Sequence, residues 1–226
     1  MFRHQILVAI FGFVLTIASA NAATIPITNA GFQDDDVGTS WGTDVTGWTD
    51  EGGSDRSITQ YADSVGTDIP VIEGDQVLIL DARATSGAIY QSVGTIAANT
   101  IYTLDITAGS RSATPLPATF EFGLYSGSGA TPVTALGLRD QTDTTGLANN
   151  TQASQEFSIV WDSTGSASVG DDLFVRMAVT TPASPPPTRQ VIFDDLSLTS
   201  APVPEPTSVM LCLVGALGLL LIRRRK

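Results

Sequence analysis

Between Gln76 and Leu198 apolar residues recur at every second position, run after run, and no stretch between 24 and 200 sustains a period of 3.6. Successive side chains of a strand point to opposite faces, so this alternation predicts sheets with one face turned to a core. Residues 101–108 set Tyr102, Leu104 and Ile106 on one face and Thr103, Asp105 and Thr107 on the other. The same logic aligns Phe120, Phe122 and Leu124 in 119–125, and Phe157, Ile159 and Trp161 in 155–161. It aligns Leu173, Val175, Met177 and Val179 in 173–179, and Ile192, Leu196 and Leu198 in 191–198. Residues 76–80 (QVLIL) are a buried run ending at Asp81, and 88–93 follow a Ser-Gly turn. Weaker strands are expected near 24–28, 47–49, 57–61 and 134–138. Gly, Pro, Asn and Asp bound these runs, which total roughly nine to eleven short strands. The expected class is all-β, two packed antiparallel sheets forming a β-sandwich or jelly roll. The Pro-rich segment 181–188 lies between two strands and reads as a surface loop.

Both ends break the pattern. Arg3 and His4 precede an apolar run from Ile6 to Ala18, and Ala18-Ser19-Ala20 and Ala20-Asn21-Ala22 both fit an A-x-A cleavage site. This is the form of a secretory signal peptide. An uncleaved anchor is the alternative, although the run falls short of the roughly 20 residues a span needs. At the other end, 207–222 is almost wholly apolar. As a helix it is about 24 Å long, slightly under the roughly 30 Å of a bilayer core. Arg223, Arg224, Arg225 and Lys226 then hold its end in the cytoplasm. The expected organisation is a signal peptide (1–23), a jelly-roll domain (24–199), a Pro-rich linker (200–206), a transmembrane helix (207–222) and a basic cytoplasmic tail (223–226).

With both ends set aside, residues 24–203 carry 22 acids against six arginines, a net of about −16, and contain no Lys, His or Cys. That balance excludes binding nucleic acid through phosphate neutralisation. The missing residues exclude disulfides, zinc sites built on His or Cys, and Ser-His-Asp or Cys-His catalysis. Carboxylates, hydroxyls and carbonyls remain, which suit a hard cation such as Ca2+.

Four segments together resemble a carbohydrate-binding-module type jelly roll, the galactose-binding-like fold. They are Asn29-Ala30-Gly31-Phe32 with Trp41 and Gly47-Trp48; 88–93 (AIYQSV); 101–104 (IYTL); and 191–198 (VIFDDLSL). The resemblance implies a structural calcium where the first and last strands meet, with Asp194 or Asp195 as ligand. Strand parity favours Asp194, on the Ile192 and Leu196 side; a bulge with both carboxylates solvated is the alternative. Gln33 stands where the family pattern often has an acid, which weakens the first-strand half of that site. Asp34-Asp35-Asp36 reads as a solvated loop or a second cation site, and Asp171-Asp172 as a turn. Sugar binding needs exposed aromatic rings. Trp48 and Trp161 are expected in the core, which leaves Trp41, Tyr61 and Tyr125 as carbohydrate-binding candidates.

Val203-Pro204-Glu205-Pro206, a short span and a terminal Arg cluster resemble the PEP-CTERM sorting signal. Pro204, Glu205, Pro206, Arg223, Arg224 and Arg225 would then be read by an exosortase; an ordinary permanent anchor is the generic alternative. The implied protein passes through the inner membrane to the cell surface or extracellular matrix of a Gram-negative-type bacterium, its domain binding extracellular polysaccharide. The alternatives are a structural or adhesive surface protein without a sugar site and a carboxylate-based glycan-active enzyme. A glycosidase needs two carboxylates flanking one bond. Glu121 and Glu156 alternate outward and no pair stands out, so no enzymatic activity is expected.

Overall fold

The computed structural model describes residues 21–35, 41–42, 44–51, 58–61, 74, 76–81, 87–111, 119–129, 131–140, 147, 152–181 and 190–203. Twelve strands occur in these segments: β1 (Ala23–Ile25), β2 (Trp41–Gly42), β3 (Thr49–Asp50), β4 (Ile58–Tyr61), β5 (Val77–Asp81), β6 (Gly87–Thr95), β7 (Thr100–Gly109), β8 (Thr119–Gly127), β9 (Thr134–Asp140), β10 (Ser154–Asp162), β11 (Asp172–Thr181) and β12 (Gln190–Pro202). All the pairings are antiparallel. One sheet (sheet A) has the order β10-β7-β12-β5-β4-β2, with β1 also on β12; the other (sheet B) has β3-β6-β11-β8-β9. The expected all-β sandwich is therefore present. Only β2, two residues long, has no counterpart among the strands read from sequence.

The alternating rows form the inter-sheet core. Tyr102, Leu104, Ile106, Phe157 and Ile159 of sheet A meet Phe120, Phe122, Leu124, Leu173, Val175 and Met177 of sheet B. Phe122 lies 5.4 Å, centroid to centroid, from both Phe157 and Phe193, in edge-on contacts that join the sheets. Trp161 is half-buried and stacks on Tyr102 at 5.7 Å. Trp48 is half-buried, 5.6 Å from Phe32.

β12 departs from the expected parity. Val191 and Phe193 face the core, as do Leu196 and Leu198, whereas Ile192 does not join that cluster. The register with β7 shifts between Asp194 and Ser197, and Asp195 has φ 49°. This is a β-bulge, which inserts one extra residue and reverses the facing of everything after it. Ile192 and Asp194 thus lie on the outer face of sheet A. Residues 1–20 and 204–226 lie outside the described residues, and with them most of the signal peptide, the sorting residues and the apolar span. Among the described residues no helix is long and apolar enough to cross a membrane.

Candidate functional site

The Asn-Ala-Gly-Phe and Gly-Trp segments are a structural clasp. Asn29 and Phe32 both adopt left-handed backbone, at φ 52° and 56°, and Phe32 is fully buried. Gln91 of β6 holds this loop with one amide: its Oε1 accepts from Thr28 N at 2.7 Å, and its Nε2 donates to Thr28 O and Gly47 O at 3.0 and 2.8 Å. Gly47 has φ +82°, and a Cβ there would lie 2.6 Å from Thr28 Cγ2, so the position needs glycine. Gln33 donates to Gly31 O and Gln76 O, both at 2.7 Å, and ties the loop to the start of β5. Asp35 accepts from Thr46 N at 2.7 Å and from the Thr46 hydroxyl. The acidic run is therefore loop wiring where it is described; Asp36 lies outside.

The loop meets the last strand at the bulge. Leu196 N donates to Ala30 O at 3.2 Å, and Asp194 Oδ1 accepts from Asp195 N at 2.8 Å. Asp194 is 0 % exposed, whereas Asp195 is exposed. A buried carboxylate is costly without compensation, which suits a cation. Yet no three of His, Cys, Asp and Glu gather as a metal cluster among the described residues. Calcium takes about six to eight oxygens, so Asp194 would need main-chain carbonyls to complete a set.

Sheet A is buried on both faces around β5, and its outer face carries ionisable groups out of water. Val77, Ile79 and Ile192 form an apolar floor, each at 0 % exposure. Beside it, Arg111 Nη1 donates to Gln190 Oε1 at 2.6 Å, and Gln190 Nε2 donates to Asp81 Oδ2 at 3.0 Å. All three are buried, and they sit at the same end of β7, β12 and β5. Further along this face, a cleft of about 370 Å³ is lined by Asp105, Thr107, Glu156, Ser158, Asp195 and Ser197. Thr107 is the strand partner of Asp194, so the cleft abuts the buried carboxylate. Sequence reading passed over Asp81, Gln190 and Arg111. The available signal was QVLIL itself, since a continuous apolar run marks a strand covered on both faces, and Asp81 ends it.

The three aromatic candidates are divided between the two sheets. Trp41 and Tyr61 pair across β2 and β4 on sheet A, whereas Tyr125 lies in β8 of sheet B and is buried. Tyr125 packs with Tyr90 and Phe174. Arg176 lies 5.2 Å over the Tyr125 ring and bridges Glu51 and Glu121 at 2.6 and 2.7 Å. Tyr125 donates to Glu121 at 3.0 Å, and burial, with the nearby Glu121 carboxylate, pushes its phenol up to about 12. This network ties Glu51, just after β3, to β11 and β8 of the same sheet.

Solved structures share the fold. An apo cyclase from Fischerella sp. superposes with a TM-score of 0.64 at 19 % identity, covering 81 % of this chain and 98 % of that one. The Stig cyclase Fisc from Fischerella sp. TAU, in complex with (3Z)-3-(1-methyl-2-pyrrolidinylidene)-3H-indole, gives 0.62 at 18 %, covering 80 % and 99 %. A cyclase from Fischerella sp. TAU, in complex with 4-(1H-indol-3-yl)butan-2-one, gives 0.64 at 18 %, covering 80 % and 98 %. No curated protein sequence matches. The family model HpiC1-like, described as HpiC1 cyclase, matches residues 23–199. That match overturns four expectations: the PEP-CTERM, exosortase-processed identity, the polysaccharide-binding role, the exosortase and polysaccharide partners, and the absence of enzymatic activity. The carbohydrate-binding resemblance rested on loop and core-strand motifs that serve the sandwich itself, so it carried fold and not function. By the match over 23–199, the chain belongs to the HpiC1-like cyclase family.

Proposed function

We propose that this chain is an exported cyclase that closes a ring in a small, largely apolar aromatic molecule on the outer face of sheet A. The observation that carries the site is the buried Arg111–Gln190–Asp81 chain beside an apolar floor. Residues 24–203 contain no His, Lys or Cys, so proton transfer falls to carboxyls and phenols. Cyclisation without a redox step is an isomerisation: a C–C bond forms as a π bond is consumed, one proton enters the substrate and one leaves. Asp81 is the group we assign to that exchange, with Gln190 orienting its carboxyl and Arg111 orienting Gln190. Shielding from water suits a carboxyl to proton transfer. Further along the same face, the cleft of about 370 Å³ is lined by Asp105, Glu156 and Asp195 and not by Asp81; its volume lies within the usual range for small-molecule sites. The relatives' indole complexes suggest an indole-bearing substrate.

Export and anchoring belong to the same proposal, with 1–23 as leader and 207–222 as span, supported by their apolar runs and flanking charges. So does a Ca2+ at Asp194, supported by the burial of that carboxylate at the loop-to-strand junction. The test is incubation of the detergent-solubilised full chain with alkenyl-substituted indoles, read by mass spectrometry for a ring-closed isomer of unchanged mass. Binding of 4-(1H-indol-3-yl)butan-2-one is followed by NMR. Isomer formation lost in Asp81→Asn supports the reading; no isomer and no binding at millimolar ligand would end it.

A further inference from the structure

We infer that the end of the sandwich where the chain enters and leaves is a membrane-facing surface, built from two uncharged loops that rest on the lipid headgroups. The inference rests on the anchored reading above. β1 begins at Ala23 opposite Ser200, and Val203 N donates to Asn99 O at 2.8 Å. The first and last strands of the domain therefore begin and end side by side at this pole. Only 203–206 separate the end of β12 from the apolar segment that starts at Thr207. The five steps from Pro202 to Thr207 reach at most about 18 Å, so a tail inserted from Thr207 holds this pole close to the bilayer surface.

The loops at that pole fit the position. Residues 93–99 (VGTIAAN) and 163–170 (STGSASVG) contain no charged side chain, in a domain of 22 acids. They are knit into one surface: Gly170 N donates to Ile96 O at 2.9 Å, Ser163 Oγ to Ala97 O at 2.7 Å, and Ser163 N to Thr100 O at 2.9 Å. Ala97, Ala98, Thr164 and Ala167 are exposed, and Val169 is 40 % exposed. Asp162, Asp171 and Asp172 border the surface; Asp162 is turned onto Thr164 N at 2.8 Å, and Asp171 and Asp172 are half-buried. A domain of net charge about −16 is repelled by anionic headgroups, and uncharged loops lower that repulsion where approach is closest. β12 runs twelve steps from Gln190 to Pro202, about 40 Å at the strand rise. The Asp81–Gln190–Arg111 end therefore points away from the bilayer, into the aqueous side.

The test uses the full chain carrying Cys212→Ser, reconstituted into phosphatidylethanolamine and phosphatidylglycerol vesicles doped with a headgroup nitroxide. A bimane is placed by Ala98→Cys or Ser166→Cys at the pole, or by Ser154→Cys at the far end. We expect several-fold stronger quenching at 98 and 166 than at 154. Equal or reversed quenching in protein that stays with the vesicles after carbonate washing overturns the inference and leaves the anchor intact. Loss of the protein in that wash removes the anchored reading, and the inference with it.

Discussion

Gln91 holds the loop of Thr28 to the turn at Gly47, and Gln91→Leu measures what that wiring is worth. The amide is buried and makes three hydrogen bonds to main chain of Thr28 and Gly47. A net hydrogen bond contributes about 1 kcal/mol, and an orphaned buried partner costs about 1–3. Thr28 and Gly47 are themselves exposed, so water recovers part of the loss and the lower figure applies. Three bonds give about 3 kcal/mol, offset by at most about 1 kcal/mol from the extra apolar surface of Leu. The expected loss is about 2–3 kcal/mol, or roughly 4–12 °C of melting temperature for a domain of this size. Urea denaturation followed by tryptophan fluorescence measures it, with the exposed neighbour change Ser92→Ala as reference. Gln91→Glu turns a donor into an acceptor facing two carbonyls; it should cost at least as much at pH 7 and recover in part when acid restores an O–H donor. Stability within 0.5 kcal/mol of the wild type for Gln91→Leu would refute the assignment.

Three further outcomes follow from the same geometry. Tyr125 should ionise about two units later than an ordinary tyrosine in a 295 nm titration, and Glu121→Gln should bring it down. Because its folded value is raised, its contribution to stability is intact below pH 10 and is lost as pH climbs from 10 towards 12; all tyrosines titrating together near pH 10 would contradict this. Chelator should lower the melting temperature of the wild type but not of Asp194→Asn, and an unchanged wild type would remove the calcium proposal. Gln190→Leu should cut ring-closing turnover at least tenfold with little change in ligand affinity, since it leaves the apolar floor in place; a loss seen only in affinity would argue against an orienting role.

Much of the sandwich was legible because strand alternation is local. The rows Tyr102-Leu104-Ile106 and Phe120-Phe122-Leu124 face the core as their spacing predicts. The row through Ile192 was not, because a bulge at Asp195 reverses facing and leaves no mark in apolar periodicity. The proposed site was less legible still. Asp81 and Gln190 are 109 positions apart and Arg111 and Gln190 are 79 apart, and neither separation has a sequence signature. Glu156 was read correctly as outward, but the cleft it lines exists only because β10, β7 and β12 lie side by side.

The sequence by itself determined the fold class, the apolar ends and the chemistry left to residues 24–203: carboxyl, phenol, guanidinium and amide. Those follow from composition and from a period of two, which any window of residues displays. Tertiary structure alone decided which carboxylates leave water. Burial depends on strand order and on what covers the outer face of sheet A, and both are set by pairings between residues far apart in the chain.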